Sequence, residues 1–419
     1  MATNRPITAK WIWLFVPILL ATACLKSKKP GLPPEVVHTI QSTGFNRVEL
    51  VKAIAPYIES TDSLKLQAIY FLLTHMIDQY AVEYEISDSA GNIYNLKPLS
   101  FLSDSALFAR WDSLSTAAPK FGYKAKKYIS DRDTVTAALL INTINQAFEK
   151  QESDYLKYIP KEIFFQFVLP YRIGNETIED WRRQLEPIAE HIIATSILQA
   201  DSLAANVNRY VNSTIEFDKR FLKNAFEQQT DSLLIYKKGH DRDISWLKVK
   251  LLRTIGIPAT VDYIPYLADS SHGLHFAVYY SPDGYFKPLL QDNEKAVFQK
   301  PERIPKVYRR IYHHIDSSLF ALKDIGKTTP GFLGHYHYLD VTNQYVHTHS
   351  IRFAVDCPDT IVYLAVFNDT KWRAIDWTLC KDREAVFTQA GIYSNYQLGY
   401  VDQETEEFIR IPAVELLPD

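Results

Sequence analysis

Residues 239–266, GHDRDISWLKVKLLRTIGIPATVDYIPY, predict a helix that leads directly into a strand. Apolar residues recur at helical spacing from Ile244 to Ile255 and define one face of that helix. Gly256 suits the C-terminal cap, and Pro258 prevents the helix from continuing.

Three strands are predicted after this helix. They are ATVDYIPYL (259–267), LHFAVYY (274–280) and YFKPLL (285–290), and the segments ADSSHG and SPDG between them carry strong turn signals. The predicted order is therefore helix, strand, strand, strand.

Segments along most of the chain resemble the transglutaminase-like superfamily. The likeness rests on KGHDRDISWLKVKLLRTIGIPATVDYIPY (238–266), GLHFAVYYSPDGYFKPL (273–289), FFQFVLPYRIGNETIEDWR (164–182), KVYRRIY (306–312) and YLAVFNDTKWRAIDW (363–377). It is strongest to lipoproteins of the Bacteroidota that place a papain-like transglutaminase core between a helical N-terminal part and a C-terminal β-domain. The resemblance implies a cysteine at the start of the core helix, a histidine on the second strand and an aspartate on the third.

In this chain the resemblance places Asp241 where the family has its catalytic cysteine. His275 falls at the position of the histidine, and Leu290 at that of the aspartate, with Asp292 two residues further on. A thiolate at a helix N-terminus, a histidine base and an orienting carboxylate are the parts that this chemistry needs. Two of the three degenerate triad positions therefore lack the required group.

The leading functional hypothesis is a non-catalytic protein that binds a peptide or a glycan in the vestigial cleft. We expect Asp241, Asp243, Trp246, His275 and Asp292 to line that cleft. Simpler roles stay open, because a carboxylate at a helix start is typical of capping and a histidine or tryptophan is often a core residue. No cofactor is predicted.

Two further hypotheses remain open. One is a hydrolase or transamidase with altered chemistry, in which Asp241 or a water molecule is the nucleophile and His275 the base. The other is a structural or assembly protein that docks another envelope protein through its C-terminal β-sandwich.

The N-terminus predicts a lipoprotein. Residues 1–23 have the basic start and short apolar run of a signal peptide, and small residues precede Cys24, as in the bacterial lipobox. Cys24 is then the lipid-anchored residue, and 24–35 form a tether; an ordinary signal peptide with a chance cysteine is the alternative. Because lysines rather than acidic residues follow Cys24, we expect an outer-membrane anchor that faces the periplasm.

The predicted fold class is α+β. Residues 36–175 form a helical N-terminal region, 176–300 the transglutaminase-like core, and 301–419 a C-terminal β-sandwich. Cys357 and Cys380 either form a disulfide in the oxidising envelope or remain two buried thiols.

Two other features of the sequence bear on a metal site and on nucleic acid as a partner. His335, His337, His347 and His349 form two His-x-His pairs that a hairpin would bring together, which makes them weak candidates for a zinc or copper site. Nucleic acid is excluded as a partner by the balanced charge, with 46 basic and 49 acidic residues and no basic block.

Overall fold

The computed structural model describes residues 31–419 apart from 59–61, 269, 271, 323–330, 336, 357–359, 393–394, 403–404, 406, 413 and 417–419. Cys24 and Cys357 thus lie outside the described residues. Within the described ranges no helix is both long and apolar enough to cross a membrane.

The helices are α1 (Pro34–Ser42), α2 (Arg47–Ile58), α3 (Ser63–Thr74), α4 (Asp104–Ala117), α5 (Ala137–Gln151), α6 (Lys161–Phe167), α7 (Trp181–Ala194), α8 (Ala200–Thr214), α9 (Thr230–Tyr236), α10 (Asp241–Ile255), α11 (Asp292–Phe298) and α12 (Leu319–Leu322). The strands are β1 (Tyr80–Ser87), β2 (Ile93–Tyr94), β3 (Gly122–Ser130), β4 (Glu216–Phe217), β5 (Lys238–Gly239), β6 (Ala259–Ile264), β7 (Leu274–Tyr280), β8 (Phe286–Pro288), β9 (Tyr308–Arg310), β10 (Tyr338–Asp340), β11 (Thr348–Ala354), β12 (Ile361–Asn368), β13 (Lys371–Leu379), β14 (Glu384–Gly391), β15 (Gln397–Val401), β16 (Phe408–Arg410) and β17 (Val414–Leu416).

The central unit is helix α10 packed on a five-stranded antiparallel sheet of order β10-β9-β6-β7-β8. The predicted helix and the three strands after it are confirmed. Gly256 caps α10 with a positive φ of 98°, a conformation that glycine adopts without a steric penalty. Nearly all of α10 is buried, because α7 and α8 cover it on the side away from the sheet.

The central sheet extends beyond residue 300, where the sequence analysis placed the end of the core. Strand β9 returns to pair with β6, and β10 pairs with β9. Both strands are only three residues long, so their sequence carries little periodic signal. The central sheet therefore contains strands from both sides of the boundary predicted at 300.

The N-terminal region contains a sheet as well as helices. Helix α3 starts at Ser63, with Asp62 as its N-cap. Strands β1 to β3 form an antiparallel sheet of order β2-β1-β3. The predicted helical region therefore also contains strands, and YAVEYEIS in β1 and YKAKKYIS in β3 are segments that the helical spacing of their surroundings does not indicate.

The C-terminal region consists of two antiparallel sheets, of order β14-β11-β17 and β13-β12-β15-β16. Side chains from both sheets meet in one apolar core that includes Phe353, Leu364, Phe387 and Leu398. Cys380 lies in this core and is disulfide-bonded. The described chain as a whole is thus of the α+β class.

Candidate binding cleft

His240 and Asp243 cap the start of α10, and the side chain of each accepts the backbone N–H of the other. His240 is the N-cap, and its Nδ1 accepts the backbone N–H of Asp243 at 3.2 Å. Asp243 accepts the backbone N–H of His240 at 3.1 Å, and two further N–H groups from Gln228 at 2.8 and 3.0 Å. Since Asp243 is 1% exposed, it fastens the helix start and does not reach a ligand.

Asp241, the first residue of α10, contacts His275 twice through one oxygen. Asp241 Oδ2 accepts the backbone N–H of His275 at 2.8 Å and lies 3.3 Å from its ring Nδ1. Ser245, one turn further along α10, donates its hydroxyl to the His275 carbonyl at 3.2 Å. Both backbone groups of His275 are therefore held by the core helix.

The Asp241–His275 pair carries a carboxylate and a neutral imidazole at neutral pH. Burial raises the pKa of Asp241, but the hydrogen bond and charge of His275 outweigh it and bring that pKa well below its ordinary value. Burial lowers the pKa of His275, and Asp241 offsets this only in part. Because an ionised carboxylate only accepts hydrogen bonds, Nδ1 carries the proton and Nε2 the lone pair.

A cavity of about 250 Å³ lies in front of His275. Three parts of the chain form it: the N-terminal sheet, the core and residues after 330. Its aromatic lining is Tyr84, Phe226, Tyr263, Tyr266 and Phe332, and its polar lining is Asn175, Glu227, Arg242, His275, Arg310 and His335. We call this cavity the cleft.

Aromatic rings surround His275 at the cleft. Tyr263 stacks on His275 with ring centres 5.6 Å apart and an angle of 13° between the planes. The ring of Trp246 lies 6.2 Å from His275 and is 2% exposed, so it supports the histidine from below. Trp246 thus contributes shape to the site, while a ligand meets Tyr263 and His275.

The positions suggested for the third catalytic group hold no carboxylate beside His275. Leu290 packs against an apolar cluster. Asp292 starts α11, is 98% exposed and pairs with Lys295 at 2.8 Å, so it lies outside the cleft. The β7–β8 pairing ends where Val278 faces Pro288, so it does not reach as far as His275.

A buried polar pair behind the cleft was missed by the sequence analysis. Lys248 lies seven residues after Asp241 on α10, and its Nζ donates to the Leu289 carbonyl at 3.1 Å. Burial lowers the pKa of Lys248 to about 8 and raises that of Glu294 on α11. The spacing of Asp241, Ser245 and Lys248 on one helix face was the available signal. Neither Lys248 nor Glu294 lines the cleft.

The four C-terminal histidines do not come together in a hairpin. Strand β10 belongs to the central sheet and β11 pairs with β14, so the predicted hairpin is wrong. His335 contacts the Tyr80 hydroxyl, His337 contacts Gln79, and His347 and His349 are exposed. Among the described residues, no group of three His, Cys, Asp or Glu side chains is placed to hold a metal ion.

Comparisons with known proteins give only distant likenesses. No family model matches the chain, and no curated protein matches it. A solved structure of a proposed protease from Parabacteroides distasonis is 13% identical over 41% of this chain and 29% of its own, with a TM-score of 0.24. A proposed cysteine protease from Cytophaga hutchinsonii is 14% identical over 28% of this chain and 44% of its own, with a TM-score of 0.18. The chain thus matches less than half the length of either protein.

Proposed function

We propose that this chain is a lipid-anchored envelope protein whose degenerate transglutaminase-like core binds a peptide or a glycan in the cleft without catalysing a reaction. The contact of Asp241 with His275 carries the proposal. A carboxylate stands where the resemblance requires a thiol, and its oxygen already accepts hydrogen bonds from the histidine that should activate a nucleophile.

The protonation of the pair supports a binding role. A carboxylate with a lowered pKa that accepts two hydrogen bonds is a poor nucleophile and no proton donor. His275, in turn, faces a cavity lined by five aromatic rings, which suits the recognition of flat or apolar groups. The cleft therefore keeps a recognition surface where the reactive group is missing.

The proposal is tested with the detergent-solubilised full chain incubated with pools of glutamine peptides plus an amine, peptidoglycan stem peptides and oligosaccharides. Mass spectrometry measures both turnover and retention on the protein. We expect no turnover, and retention of a pool component that His275→Ala loses. His349→Ala makes the same change on an exposed strand outside the cleft and serves as the matched control. Retention unaffected by His275→Ala would remove the cleft from consideration.

A hydrolase with altered chemistry is the second candidate. The observation in its favour is that an ionised carboxylate on Nδ1 orients a neutral imidazole, which is how a general base is held in many hydrolases. Asp241 itself is unsuited to be the nucleophile, so a water molecule would have to attack. Turnover of any pool component that His275→Ala abolishes would establish this function and refute the non-catalytic proposal.

A further inference from the structure

Arg310 differs from Arg309, the other arginine in the strands of the central sheet, in its surroundings. Its neighbour on β9, Arg309, is buried and forms two hydrogen bonds with Asp262, both at 2.8 Å. Consecutive strand residues point to opposite faces, so Arg310 is directed to the cleft, which it lines. Among the residues that the structure describes, no carboxylate oxygen lies within 4.0 Å of the Arg310 guanidinium.

The Arg310 guanidinium is held in place without using its hydrogen-bond donors. It lies over the Tyr263 ring at 5.4 Å, and a Cβ added to Gly174 would be 3.6 Å from its central carbon. Nε is buried and has no hydrogen-bond partner in the described chain. A buried donor without an acceptor is costly. The Nε atoms of Arg132, Arg182 and Arg373 are also buried without an acceptor in the described chain, but of these four arginines only Arg310 lines the cleft.

The carboxylates nearest to the cleft are engaged elsewhere. Glu227 pairs with Arg242 at 3.6 Å, and Asp241 is bound by His275. The positive charge of Arg310 also affects His335, another residue that lines the cleft. Burial is the largest cause that lowers the pKa of His335 to about 3, and the charge of Arg310 is the second. The cleft therefore offers one positive charge that its own described side chains leave unmatched.

We propose that the cleft recognises a carboxylate through Arg310, and that this carboxylate is the free C-terminus of a bound peptide whose last side chain packs on the aromatic lining. The inference rests on the proposed function, since it identifies the ligand of the same cleft. Guanidinium and carboxylate match in a two-bond geometry, and the Arg310 guanidinium lies over the Tyr263 ring at the cleft.

The size and lining of the cleft favour a peptide end over an oligosaccharide. About 250 Å³ is below the roughly 300–1,000 Å³ typical of pockets that enclose a drug-sized ligand. A neutral sugar needs several hydrogen-bond partners for its hydroxyl groups, yet Glu227 and Arg242 are paired with each other and Asn175 contacts His335. One residue with a terminal carboxylate fits both the volume and the charge.

The test uses a pool of N-acetylated tripeptides randomised at all three positions, prepared once with free C-terminal carboxylates and once as C-terminal amides. The full chain is incubated with each pool, retained peptides are identified by mass spectrometry, and the dissociation constant of the best-retained sequence is measured in both forms. Glucuronic acid is run alongside as a carboxylate without a peptide. We expect the acid to bind at least tenfold tighter than its amide, and glucuronic acid to bind more weakly than the peptide acid.

Three variants locate the effect. Arg310→Gln is expected to weaken the peptide acid at least tenfold and to leave the amide unchanged, whereas Arg310→Lys keeps part of the affinity. Lys371→Gln removes the same charge from an exposed site in the C-terminal sheets and is expected to change neither value.

The outcomes separate the two proposals. Acid and amide retained equally by the wild type would overturn the carboxylate inference and leave peptide binding intact. Tighter binding of glucuronic acid than of any peptide acid would overturn the peptide assignment. Retention of neither pool, with glucuronic acid also unbound, would overturn the inference together with peptide binding in the cleft.

Discussion

Replacing Asp243 with alanine is expected to loosen the start of α10. Asp243 accepts three N–H groups, one from His240 and two from Gln228, in a site that is 1% exposed. A buried donor left without an acceptor costs about 1–3 kcal/mol, and removing one member of a buried charged contact typically costs about 3–5 kcal/mol. We expect the free energy of local unfolding at the start of α10 to fall by about 3–5 kcal/mol. This is less than three separate unsatisfied donors would cost, because the three N–H groups lie close together and a water molecule can partly replace the lost carboxylate.

Hydrogen exchange measured by mass spectrometry on peptides covering α10 is the assay, because it reports the helix separately from the other regions. The expected change is exchange faster by a factor on the order of 10²–10⁴. Asp241→Ala is the matched control. It removes an identical side chain two residues away that is 19% exposed and, within the described chain, hydrogen-bonds only to His275, and we expect about a tenfold change. An equal or larger effect of Asp241→Ala would refute the division into a structural Asp243 and a site residue Asp241.

Three further predictions concern stability. Because burial holds the pKa of His335 at about 3, below its ordinary value, the folded chain binds fewer protons than the unfolded one, and stability should fall as pH drops below about 6.5; His335 alone contributes at most about 1.4 kcal/mol per pH unit, to which His75 and His337 add in the same direction. Urea unfolding at pH 7 and 5.5 measures the change in the free energy of unfolding with pH. His335→Gln should make that change smaller, and an unchanged pH dependence would show that His335 is not its cause. Gly256→Ala should lower the free energy of unfolding by about 2–4 kcal/mol, since the residue has a φ of 98° and the new Cβ would lie 2.5 Å from Leu156 Cδ1. Arg309→Met should lower it by about 3–5 kcal/mol by leaving Asp262 buried and unpaired, whereas a loss below about 1 kcal/mol would show that the pair contributes little.

Local sequence patterns predicted the central helix and its strands because their signals are short-range. The apolar face from Ile244 to Ile255, the cap at Gly256 and the strand of 274–280 all depend on neighbours within a few residues. Strands β9 and β10 escaped prediction because three residues show no period. Their places are fixed by long-range pairing, of β9 with β6 more than forty residues earlier and of β10 with β9 about thirty residues earlier.

The cleft was predicted in part for the same reason. Asp241 and His275 were singled out by the family resemblance of the segments around them, and the structure brings the two residues into contact. Tyr84, Arg310 and Phe332 come from distant segments, so no spacing in the sequence connects them with His275. The sequence favoured an aspartate as the cap of α10, because aspartate is a frequent N-cap. In the structure His240 is the N-cap, and Asp243 at the third helical position accepts the backbone N–H of His240 in return.

The geometry of α10 accounts for the way in which His275 is held. The N-terminus of α10 is the positive end of a helix dipole and stabilises the carboxylate of Asp241. That carboxylate accepts the backbone N–H of His275 at 2.8 Å and lies 3.3 Å from its ring Nδ1, while Ser245 donates its hydroxyl to the His275 carbonyl. Replacing Asp241 with cysteine would remove the carboxylate that orients the ring, and Asp292, which lies outside the cleft, could not take its place. Contacts from one helix therefore hold His275 in the position from which it lines the cleft.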